Sequence, residues 1–94
     1  MKYFDWNEEE NQWLKKERNI SFEVIVSYLE QKKMLDKIAH PNSVKYPDQF
    51  IFVIEHDNYA YLVPFVEDDE KVFLKTIIPS RRVTEKYLRR KSDG

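Results

Sequence analysis

Between Asn7 and Arg18 the chain is rich in Glu, Lys and Gln and contains no Gly, Pro or β-branched residue, which predicts a helix. Only Trp13 and Leu14 are strongly apolar within it, a thin stripe for a helix whose sole task is to cover a core. Ser21 can cap a second helix, SFEVIVSYLEQKK, with Phe22, Ile25, Val26 and Leu29 on one face at helical spacing. A short strand fits about Leu35 to Ala39, and HPNSVKYPDQ, with Pro41 and Pro47, reads as a loop. QFIFVIE, YAYLVPFVE and KVFLKTII read as three strands rich in aromatic and β-branched residues. HDN and DDE between them read as tight antiparallel turns. Pro64 has no N–H to give a ladder, so its strand needs a bulge or an edge at that point. Pro79 ends the last strand, and Ser80 can cap a C-terminal helix, RRVTEKYLRRK.

The predicted architecture is α+β: two N-terminal helices packed on an antiparallel sheet of three to four strands, followed by a C-terminal helix. Trp6, Trp13, Phe22, Ile25, Leu29, Phe52, Val53, Leu62, Val63 and Leu74 are the expected core. No repeat or linker divides the chain, and 94 residues suit one domain with one modest core.

The first helix poses the sharper question. Stepping about 100° per residue from Trp13 puts Trp6, Glu10, Leu14 and Glu17 on its side of the helix. Lys15 points away, and Lys16 and Arg18 flank the stripe. Carboxylates on a half-buried stripe need partners. Docking beside the end of the final strand, with Arg81 and Arg82 as ionic partners, would supply them. Alternatively, Glu10 and Glu17 bend out to water at the edge of the stripe.

Composition narrows the chemistry. The chain has no cysteine, which excludes disulfides and thiolate metal sites and fits a reducing, cytoplasmic setting. No apolar run approaches the roughly 20 residues that span a bilayer, and the N-terminus does not read as a signal peptide. The net charge of −1 draws nothing globally to nucleic acid. Locally the balance differs. From Lys71 to Lys91 the chain carries Lys75, Arg81, Arg82, Lys86, Arg89, Arg90 and Lys91 against Glu85. The two histidines and scattered acids have no metal-ligand spacing, the only glycine is Gly94, and no phosphate loop or serine-nucleophile motif is present. No cofactor is implied. His40 and His56 read as loop or turn residues, with His56 within reach of a site at the end of the sheet.

The stretch FDWNEEENQWLKKERNISFE resembles the N-terminal signature of the BrnT family, ribonuclease toxins of bacterial toxin–antitoxin pairs with a RelE-like fold. Phe4, Asp5, Trp6, Asn7 and Glu8 match its start, and Ile20, Ser21, Phe22 and Glu23 match its closing cap. FLKTIIPSRRVTEKY resembles the family's ending, through Ile78, Ser80, Arg81, Arg82 and Thr84, and VPFVEDDEKVF resembles its central hairpin. The chain departs from the pattern in its first helix. Glu10, Leu14, Glu17 and Arg18 stand where the family usually has Lys, Asn and then Lys-His.

The resemblance implies a metal-independent endoribonuclease restrained by a cognate antitoxin, a small DNA-binding protein, with RNA as substrate. Such cleavage uses the 2′-hydroxyl as nucleophile and needs a base, a donor to the leaving oxygen and cations for the phosphorane. Arg18 and Arg81 can stabilise that charge but do not titrate near neutrality. Lys16, Glu17 and Tyr87 are the acid–base candidates, and Lys15, Lys75 and Arg82 the RNA contacts. The alternative is a catalytically inactive member that serves as a protein- or RNA-binding module.

Overall fold

Both N-terminal helices form, each behind a side-chain cap, of which Ser21 is the one the sequence predicts. Asn7 accepts the N–H of Glu10 and starts α1 (Glu8–Glu17); Ser21 accepts the N–H of Val24 and starts α2 (Phe22–Glu30). Asn19, at φ 56°, takes the left-handed conformation just past the end of α1, which Asn tolerates better than most residues. In the computed structural model, residues 2–89 are described, with Arg89 described by its backbone alone.

The strands are β1 (Tyr3–Trp6), β2 (Asp36–Ala39), β3 (Gln49–His56), β4 (Tyr59–Glu67), β5 (Lys71–Leu74) and β6 (Ile78–Pro79). They form one sheet in the order β1-β5-β4-β3-β2, with β6 also on β4. Asp57 and Asn58, both at positive φ, make the two-residue turn between β3 and β4. The fold is therefore α+β, but the sheet is mixed and six-stranded rather than antiparallel with three or four strands. The strand unseen in the sequence is β1. It precedes α1 and runs parallel to β5, pairing Phe4 with Val72 and Trp6 with Leu74.

Pro64 explains why the last strand is broken. Its carbonyl accepts the N–H of Lys75 at 2.8 Å, so the side of β4 that lacks a donor faces β5. There β5 stops, residues 75–77 leave the ladder, and pairing resumes at β6 with Ile78 opposite Leu62.

Register sorts the side chains between two faces. Phe52, Ile54, Val63, Phe65, Val72 and Leu74 share one face and pack with Leu14, Ile20, Phe22, Ile25 and Ile77 in the main core. Phe52 stacks on Phe65 at 4.0 Å between ring centroids. On the other face lie Val53, Ala60 and Leu62, toward α3 (Arg81–Thr84). The hydroxyl of Thr84 accepts the N–H of Ala60 at 2.8 Å and donates to the carbonyl of Ser80 at 2.7 Å. The C-terminal helix starts at its Ser80 cap as α3 and passes into a single π-helical turn over Glu85–Arg89; Arg90 and Lys91, the end of the expected helix, lie outside the described residues.

The expected core holds with one clear exception. Phe22, Ile25, Phe52, Val53, Val63 and Leu74 are buried, whereas Trp6, Leu29 and Leu62 are half-buried. Trp13 is 44% exposed, while Asn11 and Leu14 are fully buried. The inward face of α1 is centred on a polar side chain, which a hydrophobicity wheel counts as outward.

Candidate nucleic-acid interface

Asn11 earns its burial with three hydrogen-bonding roles: its carbonyl accepts the N–H of Phe22 at 2.8 Å, and its amide donates to Glu23 at 2.8 Å. Its own backbone N–H bonds Asn7 within the helix start. The Asn11 amide holds the Glu23 carboxyl below its ordinary range, with Lys15 contributing at 3.8 Å. One amide thus fixes α1 to the start of α2.

The outer side of α1 is fixed to the break between β5 and β6. Glu10 accepts a 2.7 Å hydrogen bond from the hydroxyl of Thr76. Arg18 donates to the carbonyl of Ile77 and lays its guanidinium 4.8 Å from the centroid of the Trp13 ring. The helix does dock beside the end of the final strand, but each contact pairs one charged group with one neutral group. The expected ion pairs to Arg81 and Arg82 are not formed; Glu10 is satisfied by Thr76 instead. Glu17 is exposed and has no ion pair among the described residues.

Lys75 is exposed at the strand break, and Arg81 and Arg82 are exposed in the first turn of α3, after the Ser80 cap. Lys16 is exposed on α1. None of these four cations has an acidic partner among the described residues. Lys15 leans toward Glu23, as its outward position on the wheel suggests.

Tyr87 is elsewhere. Its hydroxyl donates to Asp36 at 2.7 Å, and Asp36 pairs with Val53 on the face turned away from α1 and α2. The sheet therefore stands between Tyr87 and the pair Lys16 and Glu17. The Tyr87 hydrogen bond, the N–H of Lys37 and the charge of Lys86 together lower the Asp36 carboxyl. The candidate acids and bases are not gathered at one point.

Two further features were not foreseen as such. His56 shares a 2.7 Å hydrogen bond with the Tyr28 hydroxyl and packs edge-on against Tyr61. Burial, with the nearby charges of Asp57 and Tyr59, raises the Tyr61 hydroxyl above its ordinary value. A hollow of about 310 Å³ opens at the joint between α1 and α2, lined by Lys15, Asn19, Ile20, Ser21 and Val24. With Lys15 as its one ionisable side chain, it offers no acid–base pair. No grouping of three or more metal-binding side chains lies among the described residues, and none of their helices is long and apolar enough to cross a membrane.

Asn11, Thr76 and the structural use of Arg18 escaped the sequence reading. Only Asn11 left a trace, as the residue one turn before Leu14 in a helix short of apolar positions. No family model, curated protein or solved structure matches the chain.

Proposed function

We propose that the protein binds RNA along the seam between α1 and residues 75–82, as a toxin-like module whose chemistry is binding rather than cleavage. The supporting observation is the set Lys16, Lys75, Arg81 and Arg82, exposed and without acidic partners among the described residues. Cations left uncompensated by the protein are available to phosphates, and releasing the counterions they displace drives binding. Against cleavage stand the commitments of two catalytic candidates, the charge-stabilising Arg18 and the acid–base candidate Tyr87. Arg18 is engaged by Ile77 and Trp13, Tyr87 by Asp36 across the sheet.

The second reading is a BrnT-like endoribonuclease with a RelE-like fold, the toxin of a type II pair acting in the bacterial cytoplasm under a small DNA-binding antitoxin. The matching segments Phe4–Glu8, Ile20–Glu23 and Ile78–Thr84 favour it. Glu17 would then be the base, with Lys16 and Arg81 stabilising the phosphorane and Lys15 and Arg82 holding the strand.

Incubating purified protein with end-labelled single-stranded RNA at low salt separates the two. The binding reading expects a shifted, intact RNA. Cleavage that Glu17→Gln abolishes at an unchanged melting temperature would establish the enzyme instead, and RNA that is neither bound nor cut would remove both readings.

A further inference from the structure

We propose that Trp13 is a stacking platform for an unpaired base, so that the RNA taken up at this seam is single-stranded. The inference rests on the RNA-binding reading and deepens it from charge to substrate class.

A lone exposed aromatic residue is ordinary on a protein surface. Trp13 differs in how it is held. Arg18 packs against its ring at 4.8 Å and is itself anchored by the carbonyl of Ile77. The ring is therefore fixed at the seam instead of sweeping through solvent. With a guanidinium on one side and 44% of the residue still exposed, the opposite side of the indole is left to a ligand. Lys16, one turn further along α1, and Lys75, two residues before the Ile77 that anchors Arg18, are both exposed, and the proposal assigns them the flanking phosphates. A flat apolar ring edged by cations is the arrangement that holds unpaired bases, because every base has a π-face and single strands expose it. A duplex hides its base faces in the stack and offers phosphates alone. Trp6 provides the internal contrast: it is half-buried and stacked on Phe22 at 5.6 Å.

The test is a fluorescence titration of the full chain at low salt with a single-stranded oligoadenylate and with an RNA duplex of equal phosphate number. The oligoadenylate should quench tryptophan emission, and the duplex should not. Trp13→Ala should abolish the quench and weaken single-strand binding about 10-fold, leave duplex binding unchanged and melt near the parent temperature. Trp13→Phe, which keeps a ring, should recover most of the single-strand affinity. Should Trp13→Ala fail to fold, the parent quench and the phenylalanine variant decide the matter. Oligoadenylate binding without a quench, at an affinity Trp13→Ala does not change, would overturn the platform and leave the RNA-binding reading standing. A parent protein that binds neither RNA would overturn both.

Discussion

The side-chain carbonyl of Asn11 accepts the backbone N–H of Phe22 at 2.8 Å, and both residues are fully buried. A donor stranded in the interior keeps the whole cost of its lost hydration. Asn11→Ala should therefore destabilise the protein by about 2–3 kcal/mol in denaturant melts, through the exposed need of Phe22 and the lost bond to Glu23. A loss below about 0.5 kcal/mol would show that the bridge between α1 and α2 is not what fixes them.

Adjacent residues on α1 should behave oppositely. Leu14 is fully buried in the main core, and Leu14→Ala should cost about 3 kcal/mol. Trp13, the larger side chain, is 44% exposed, so Trp13→Ala should cost under about 1 kcal/mol. Equal losses in paired melts would contradict the orientation of the helix.

Acid should weaken the fold through named carboxylates. The Asn11 amide lowers Glu23, the Lys2 ammonium with Lys37 lowers Glu67, and the N–H groups of Glu70 and Lys71 lower Asp68. Each folded pKa lies below its unfolded value, so the unfolded chain binds more protons as the pH falls. Their stabilisation is complete above the ordinary carboxylate range and is lost as the pH drops through the lowered values. The melting temperature should thus fall below about pH 4.5, the reference value for Glu, and Glu23→Gln should make that fall shallower. A melting temperature that stays level from pH 5 to pH 3 would contradict the assignment.

Local signals were legible and distant ones were not. Ser21 announces its helix because a cap acts within three residues, and Asp57-Asn58 announces its turn because both residues accept positive φ. Pro64 announces a fault in the ladder, though not that the neighbouring strand would bear it. β1 was missed because its partner β5 lies almost the whole chain away, and the inward alternation of Phe4 and Trp6 is only four residues long in all. Arg18 and Tyr87 read as catalytic cation and acid by residue type. Their actual partners, Ile77 and Asp36, are brought to them only by tertiary packing. Lys75, Arg81 and Arg82 are exposed as surface cations should be.

The seam itself is tested most directly by the salt dependence of RNA binding. Lys16, Lys75, Arg81 and Arg82 acting together on a single strand should give a log–log slope of affinity against salt near −3, since each phosphate contact contributes about −0.7. Replacing Lys75, Arg81 and Arg82 with Gln, all exposed and outside the core, should bring the slope to about −0.7 without moving the melting temperature. A slope left unchanged by the triple substitution would place the RNA on another surface and contradict the account.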